Sequence, residues 1–251
     1  MTKIIMIGCN GHMGQMITNI VNEDDEVTIV AGIDLNDNKE KGYPVFTEIE
    51  KCDTEADVII DFSSAVCLER NMDYAVKRQI PIIECSTGFS KEQVAYIKES
   101  AKKVGVLYAA NMSVGVNLLM KLLKEAAKKL ATEGFDIEIV EKHHNQKVDA
   151  PSGTALALAD SINEAMDNQY EYVFDRSQVR KKRDKKELGI SAVRGGNIVG
   201  EHDVIFAGTD EVVTFSHTAY SKAVFAKGAV VAAKYMNVKG AGHYDMADVL
   251  L

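Results

Sequence analysis

The first part of the chain alternates short apolar runs with helical stretches, and this alternation limits the fold more than any other feature. The runs are rich in valine and isoleucine and are apolar on both sides, as strands buried in a parallel sheet are. They span residues 3–7, 27–33, 58–61, 81–84 and 104–109. Helical candidates lie between them at residues 13–21, 68–77 and 91–103. Strands that alternate with helices predict a doubly wound parallel sheet.

The pattern changes after residue 111. A long helix is predicted over residues 115–130, and strand candidates follow in which polar and apolar residues alternate, as in a sheet with one wet face. These candidates span residues 137–142, 190–194, 202–207 and 212–217. An alanine-rich helix is predicted over residues 221–235. We therefore expect a Rossmann-type domain from residues 1–111 and 221–251, and an inserted α+β domain with a mixed open sheet at 112–220.

A glycine-rich turn follows the first strand and opens a helix. From Gly8 to Gly14 the chain reads Gly-Cys-Asn-Gly-His-Met-Gly. Glycines let the chain turn tightly and bring its backbone close to a pyrophosphate at the helix N-terminus. Asp34 ends the second strand, where a carboxylate accepts hydrogen bonds from the adenosine ribose. The pattern predicts a dinucleotide site that includes Asp34 and the loop residues Gly8, Cys9, Asn10, Gly11, His12 and Met13.

Two further stretches follow the fourth and fifth predicted strands, at the carboxyl ends where such sheets bind ligands. We expect them to line the nicotinamide, although each pattern also fits an ordinary loop. They comprise Cys85, Ser86 and Thr87, and then Ala109, Ala110, Asn111 and Met112. Asp34 favours NADH because it would repel a 2′-phosphate, whereas Lys39 and Lys41 lie near enough in sequence to keep NADPH use open.

Composition and charge exclude several classes of protein. The net charge of −8 argues against a nucleic-acid or anionic-membrane partner. No apolar run reaches the ~20 residues of a membrane span, and the chain starts on a strand rather than a signal peptide, so we expect a cytoplasmic protein. The four cysteines form no Cys-x-x-Cys pair and are expected to be reduced thiols. The basic stretch at 176–186 is interpreted as a solvated loop, or one that faces an acidic neighbouring subunit.

The segment 141–155 carries the strongest chemical signal. His143 and His144 are adjacent, Lys147 follows, and a Pro-Ser-Gly-Thr turn opens an apolar helix at Ser152. Histidine titrates near neutral pH, and a helix start binds anions. The segment therefore predicts a site that holds a carboxylate or phosphate and protonates a group beside it. Two adjacent histidines do not converge easily on one ion, and no metal site is expected.

These motifs resemble the 4-hydroxy-tetrahydrodipicolinate reductase (dihydrodipicolinate reductase) family of the diaminopimelate route to lysine. The resemblance runs nearly end to end. It includes the glycine-rich loop and residues 61–63, 86–89, 111–117, 141–155 and 195–202. The most specific part is His-His-x-x-Lys-x-Asp-Ala-Pro-Ser-Gly-Thr, which starts at His143.

The resemblance implies reduction of 4-hydroxy-tetrahydrodipicolinate to tetrahydrodipicolinate with NADH or NADPH, by a homotetramer that associates through the sheet of the second domain. It implies that His143 is the proton donor and Lys147 a second donor beside a substrate carboxylate. The implied substrate contacts are His144, Ser152, Gly153 and Thr154. Relatives often carry arginine at the positions of His12 and Leu35, where it can favour NADPH. We therefore expect use of NADH or of both cofactors.

Two alternatives remain open on the residues alone. One is another small dinucleotide-dependent dehydrogenase with an inserted domain. An acylating semialdehyde dehydrogenase would need a cysteine nucleophile at the start of the second domain, and no cysteine lies beyond Cys85. The other is a redox sensor that binds NAD(H) without turnover, which should lack the proton-donor segment.

Overall fold

A computed structural model of the protein describes residues 1–37, 41–109 and 111–250. Their contacts divide the chain into two compact units, each built on one sheet. The first unit comprises Met1–Val114 and Ala223–Leu251, and the second comprises Gly115–Lys222. The assignment of dinucleotide binding to the first unit and substrate binding to the second stays a prediction.

The first unit has a parallel sheet with helices on both faces. Its strands are β1 (Thr2–Ile7), β2 (Val27–Ile33), β3 (Val45–Phe46), β4 (Val58–Asp61), β5 (Ile82–Glu84), β6 (Gly105–Tyr108) and β12 (Gly242–Tyr244). Its helices are α1 (His12–Val21), α2 (Leu68–Arg78), α3 (Lys91–Ser100), α6 (Ala223–Met236) and α7 (Met246–Val249). The strand order is β12-β6-β5-β4-β1-β2-β3, and all paired strands run parallel.

Strand β1 shows why helices cover both faces of this sheet. Ile4 and Met6 pack into the core that contains residues of α1 and α6. Ile5 and Ile7 point to the opposite face, into the core that contains residues of α2 and α3. The last four residues of β1 are all apolar and buried, and such a run needs a cover on each side. The predicted doubly wound, Rossmann-type sheet is confirmed.

The second unit has a mixed sheet with helices on one face. Its elements are α4 (Val114–Leu130, all but its first residue), β7 (Asp136–His143), α5 (Gly153–Ala165), β8 (Glu171–Val173), β9 (Glu187–Arg194), β10 (Gly200–Ala207) and β11 (Val212–Ala219). The strand order is β11-β10-β7-β9-β8. Strand β10 pairs antiparallel with β7 and β11, whereas β9 pairs parallel with β7 and β8. Residues of α4 and α5 share one core with Ile137 and Ile139 of β7. The predicted mixed open sheet is confirmed.

Several bounds differ from those that the sequence predicts. The helix predicted over 91–103 ends at Ser100, and a turn follows. Strands β9, β10 and β11 are longer than predicted, because their ends carry polar residues or glycine that the apolar pattern omits. Strands β3, β8 and β12 were not predicted, since two or three residues are too few to show a period.

Helix α6 lies against the segment that follows β6. A Cβ atom added to Gly228 would stand 1.6 Å from the carbonyl oxygen of Met112. The backbones therefore approach as closely as they do only because residue 228 has no side chain. This contact places the C-terminal helix directly behind the segment 111–112, which the sequence assigns to the cofactor.

Two buried acids lie side by side at the carboxyl edge of the first sheet. Asp61 of β4 and Glu84 of β5 are partners in the strand register and are each 1% exposed. Each accepts a backbone N–H from two residues further on: Ser63 donates to Asp61 Oδ1 at 2.8 Å, and Ser86 donates to Glu84 Oε1 at 3.1 Å. Burial raises the pKa of both acids, and the neighbouring Asp61 raises that of Glu84 further, to about 9. Glu84 is therefore protonated at neutral pH.

We predict that Gly228→Ala strongly destabilises the protein. The new methyl group would collide with a backbone oxygen, and overpacking of this kind costs about 1–3 kcal/mol or more. Urea unfolding should show that the free energy of unfolding falls by an amount at or above the upper end of that range. The control is Gly240→Ala, where an added Cβ meets no atom within 4 Å. Equal stability of the two variants would contradict the close approach of α6.

We predict that Glu84→Gln stabilises the protein more at pH 8 than at pH 5. Unfolded Glu84 ionises near pH 4.3, while the folded form holds its proton up to about pH 9. Because the native state binds the extra proton between these values, the free energy of unfolding falls by at most about 1.4 kcal/mol per pH unit as pH rises. Glutamine removes this contribution. Urea unfolding from pH 5 to pH 8 measures it, with exposed Glu23→Gln as the control, and a gain that does not change with pH would refute it.

Candidate active site

Strand β7 carries a glutamate and a histidine on the face that its isoleucines bury. Exposure alternates along the strand, so that Ile137, Ile139, Glu141 and His143 share one face. Glu141 is fully buried, and His143 is 7% exposed. The period of two that builds the core thus also brings two polar side chains inward at the end of the strand.

Glu141 holds the ring of His143 through one nitrogen. The Nδ1 atom of His143 lies 2.5 Å from Oε2 of Glu141. Burial raises the pKa of Glu141, but hydrogen bonds from Arg194, His143 and the backbone of Ser152 outweigh it and hold the pKa below its usual range. Glu141 is therefore an anion that accepts the proton on Nδ1. This leaves Nε2 as the nitrogen that can exchange a proton with a ligand.

Arg194 completes the charge around Glu141. It ends β9, which pairs with β7 so that Arg194 is the register partner of His143. Its two terminal nitrogens donate to Oε2 and Oε1 of Glu141 at 2.8 and 2.7 Å. One of them also donates to the carbonyl oxygen of Asp149 at 2.6 Å. This bidentate pair neutralises the buried carboxylate and ties the loop after β7 to it.

Strand register places two more histidines beside this pair. His202 of β10 lies opposite Glu141 on one side and opposite His217 of β11 on the other. The rings of His143 and His202 meet edge to face, with centroids 5.1 Å apart. Burial, with the neighbouring His143, lowers the pKa of His202 to about 4, and burial also lowers the pKa of His217. Both rings are therefore neutral at pH 7.

The start of helix α5 lies at the same place. Ser152 is buried and caps the helix, because its Oγ accepts the N–H of Ala155 at 3.1 Å. Its own N–H donates to Glu141 Oε1 at 2.9 Å, and its Oγ lies 3.2 Å from Nε2 of His202. Gly153 and Thr154 form the first turn. A Cβ atom added to Gly153 would meet no atom within 4 Å, and the N–H of Gly153 donates to the carboxylate of Asp149.

Lys147 and His144 lie on the loop between β7 and α5. The ammonium of Lys147 is 2.8 Å from Oδ1 of Asp149, and this hydrogen bond lowers the pKa of Asp149. The carbonyl of His144 accepts the N–H of Lys147. Both side chains are partly exposed. The predicted second proton donor is thus already paired with an acid of its own loop.

In the first unit, the glycine-rich loop forms the turn that the sequence predicts. Gly8 has a φ of +80°, and a Cβ atom there would lie 2.7 Å from the carbonyl oxygen of Phe62. A Cβ on Gly14 would lie 2.3 Å from the oxygen of Gly8, so both positions require glycine. Helix α1 starts at His12 after Gly11, with no side-chain cap and no acid in its first turn. Its first N–H groups are thus suited to a diphosphate.

Asp34 is held against this loop by backbone donors. Asn10 N–H donates to Asp34 Oδ2 at 2.7 Å, and Leu35 N–H donates to Oδ1 at 2.8 Å. The carboxylate is therefore oriented at the end of β2, as a ribose contact requires. Lys41 donates to the carbonyl of Cys9 at 3.0 Å, while Lys39 lies outside the described residues. Met13 is half-buried and packs on the core, and Cys9 is buried.

The stretches after β5 and β6 lie at the carboxyl edge beside Asp61 and Glu84. Ser86 is buried, and its Oγ, like Oε2 of Glu84, has no hydrogen-bond partner among the described residues. Thr87 is exposed. Burial, with the charges of Glu84 and Asp61, raises the pKa of the Cys85 thiol well above its usual value. Asn111 accepts the N–H of Ser113, Met112 is buried, and Ala109 packs on the core. Ala110 lies outside the described residues.

The two predicted sets of residues differ in what the sequence reveals about them. The proton-donor set was predicted around His143, but the roles of Glu141 and Arg194 were missed. Glu141 had a signal, since it stands two positions before His143 in an alternating strand. No sequence signal pointed to Arg194, because its contact with Glu141 depends on the pairing of β9 with β7. Their roles toward substrate and cofactor stay predictions.

Residues 1–37, 41–109 and 111–250 lack two features. They contain no group of three or more histidine, cysteine, aspartate or glutamate residues arranged to hold a metal ion. Within the same ranges, no helix is both long enough and apolar enough to cross a membrane.

Sequence comparisons match the whole length of the chain. The family described as dihydrodipicolinate reductase, N-terminus, matches residues 2–112, and its C-terminal counterpart matches residues 115–250. A protein of Clostridium novyi (strain NT) named 4-hydroxy-tetrahydrodipicolinate reductase is 48% identical, over 100% of this chain and 98% of its own length. A protein of the same name from Caldanaerobacter subterraneus subsp. tengcongensis is 47% identical with the same coverage.

Structural comparisons agree at the level of the fold. A dipicolinate-bound dihydrodipicolinate reductase from Paenisporosarcina sp. TG-14 is similar with a TM-score of 0.84, at 24% identity and with full coverage of both chains. A probable dehydrogenase from Thermotoga maritima is similar with a TM-score of 0.66 at 12% identity, over 98% of this chain and 92% of its own. These likenesses show a shared fold.

The sequence matches decide among the three possibilities that the residues left open. Both halves of the chain match one reductase family, and full-length relatives that share nearly half of its residues carry that family's name. The chain belongs to the dihydrodipicolinate reductase family, whose members are nicotinamide-dependent oxidoreductases of diaminopimelate and lysine biosynthesis.

Proposed function

We propose that this protein reduces 4-hydroxy-tetrahydrodipicolinate to tetrahydrodipicolinate with NADH or NADPH, and that His143 supplies the proton. Family membership supports the reaction. The observation that carries the residue assignment is the buried Glu141–His143 pair beside the start of α5. We also propose that the enzyme acts in the cytoplasm, in keeping with its four free cysteines.

The geometry gives His143 a defined protonation role. Anionic Glu141 fixes the ring through Nδ1, and the two donors of Arg194 hold Glu141 in place. An imidazolium held in this way gives up its Nε2 proton to a ligand atom and keeps its Nδ1 proton, which it donates in a hydrogen bond to Glu141. General acid catalysis of this kind contributes about 10²–10⁴-fold. Neutral His202 and His217 add no competing positive charge near the ring.

A substrate carboxylate fits the start of α5. The N-terminal N–H groups of Gly153 and Thr154 favour an anion there, and the carboxylate of Asp149 already accepts the N–H of Gly153, a place that a substrate carboxylate would take over. Lys147 adds a cation on the preceding loop, where a substrate carboxylate would compete with Asp149 for its ammonium. His144, half-buried on the same loop, is proposed as a further contact. These residues bind and orient the substrate.

The residues of the first unit fit a nicotinamide dinucleotide. The bound cofactor would supply the hydride. Gly8, Cys9, Asn10, Gly11, His12 and Met13 would hold the diphosphate at the uncapped start of α1, and Asp34 would hold the adenosine ribose. Cys85, Ser86, Thr87, Ala109, Ala110, Asn111 and Met112 are proposed to line the nicotinamide, where Ser86 offers a buried hydroxyl.

We predict that His143→Gln lowers turnover by at least about 100-fold, because glutamine cannot donate the proton. Aspartate semialdehyde and pyruvate are condensed in situ, and oxidation of NADH and then NADPH is followed by absorbance. The control is His243→Gln, which removes an exposed histidine of the first unit.

The assay separates the reaction from the residue assignment. If the wild type oxidises neither cofactor, the reaction assignment is wrong. If His143→Gln keeps full activity while the wild type is active, the reaction stands and the proton donor must be another group, with Lys147 tested next. NADH binding by the variant, followed by fluorescence, checks that the fold is intact.

We further propose that the protein is a homotetramer that associates through the open face of the second sheet. Both helices of residues 115–222 pack on the opposite face. The open face carries Val140 and Ile205 beside a charge cluster in which Lys142 contacts Glu201 and Asp203 at 3.0 and 3.2 Å. Val193 and Val212 on this sheet are 45% and 61% exposed. Such a mixed apolar and paired-charge surface suits association with a second copy.

We predict that Ile205→Lys breaks this assembly into smaller species, because it places a charge in the middle of the face that association would have to strip of water. Light scattering should give a mass four times that of one chain for the wild type and a lower mass for the variant. Val238→Lys, at a residue of the first unit that is 80% exposed, is the control. A tetramer that survives Ile205→Lys would place the interface elsewhere.

A further inference from the structure

A cavity of about 250 Å³ opens beside Asp34 in the first unit. It lies at the carboxyl ends of β1 and β2, where a parallel sheet of this kind binds the adenosine half of a dinucleotide. Residues that line it include Gly8, Asp34, Leu35, Ser63, Ser64 and Arg70. The cavity is thus formed by the phosphate loop, the ribose-binding acid and the start of α2.

Among the residues that the structure describes, Arg70 is the cation that lines this cavity. Leu35, which follows Asp34 and is 93% exposed, supplies no charge. Lys41, which the sequence offered as a cation for a 2′-phosphate, donates instead to the carbonyl of Cys9. The structure therefore points to a residue that neither spacing nor the family resemblance indicated.

The guanidinium of Arg70 is available to a ligand. Its Nε donates to Oδ1 of Asn71 at a long 3.4 Å. It makes no ion pair within 4.0 Å with any carboxylate of the described residues. Its side chain is exposed, although it also lines a second cavity with Glu50, Asp53 and Asp73. Those acids leave it unpaired.

We propose that Arg70 binds the 2′-phosphate of NADPH and thereby gives this protein use of both cofactors. This inference rests on the proposed function. A guanidinium binds phosphate oxygens with two parallel hydrogen bonds. It would offset the repulsion between Asp34 and a 2′-phosphate, while Asp34 alone serves the ribose hydroxyls of NADH. An arginine directly after the ribose-binding acid would make the same contact. Arg70 makes it from helix α2 instead.

The test compares Arg70→Met with Lys77→Met. Lys77 is an exposed cation of the same helix that lines only the second of the two cavities. Affinities for NADPH and NADH are measured by fluorescence titration, and those for 2′,5′-ADP and 5′-AMP by calorimetry. We expect Arg70→Met to weaken the binding of NADPH and of 2′,5′-ADP by about tenfold or more, since a hydrogen bond to a charged group contributes that much to affinity. The affinities for NADH and 5′-AMP should change by less than about twofold. Lys77→Met should change each of the four affinities by less than about twofold.

The outcomes are distinguishable. Wild-type protein that binds neither NADH nor NADPH overturns the proposed function itself. Wild-type protein that binds NADH but not NADPH overturns the inference alone. An unchanged ratio of NADPH to NADH affinity in Arg70→Met overturns it as well. Retained NADH affinity shows that the variant is folded, and partial recovery of NADPH binding in Arg70→Lys supports a charge contact.

Discussion

The carboxylate of Glu141 is fully buried and accepts hydrogen bonds from three different elements of the second unit. They are the ring of His143 on the same strand, the guanidinium of Arg194 on β9, and the backbone of Ser152 at the start of α5. Removing one partner from a buried charge pair costs about 3–5 kcal/mol. The pairing of the strands, the loop that follows β7 and the start of the helix therefore depend on the same anion, and so does the orientation of His143.

The two units stabilise their buried acids in different protonation states. In the second unit, Arg194 keeps Glu141 ionised, so that the acid can hold a proton on the neighbouring ring. In the first unit, burial beside Asp61 keeps Glu84 protonated. Asp61 and Glu84 each bind the N–H two residues further along and so shape the loops at the carboxyl edge. One acid serves as a charge, and the other serves as a fixed hydrogen-bonding group.

Local patterns predicted much of this structure, and pairing between distant segments accounts for the rest. The apolar runs predicted β1, β2, β4, β5 and β6, because buried parallel strands need apolar residues on both faces. The positions of Gly8 and Asp34 could be predicted from the sequence, because a tight turn and a strand end fix their spacing. The contact between Arg194 and Glu141 could not be predicted from the sequence, since 53 residues separate them and only strand register brings them together. The choice of Arg70 over Lys41 likewise depends on where α2 lies.

The position of α6 has a consequence for how the protein forms during synthesis. One face of the seven-stranded sheet is covered by α1 and α6, and Ala226, Ala229 and Ala233 of α6 are completely buried there. The ribosome makes these residues only after the entire second sheet. Until then α1 alone covers this face of the nascent first unit, so that the part of the core that α6 completes stays uncovered. The second unit, whose elements are contiguous in sequence, is thus able to complete its core first, and the fold of the N-terminal strands is finished from the other end of the chain.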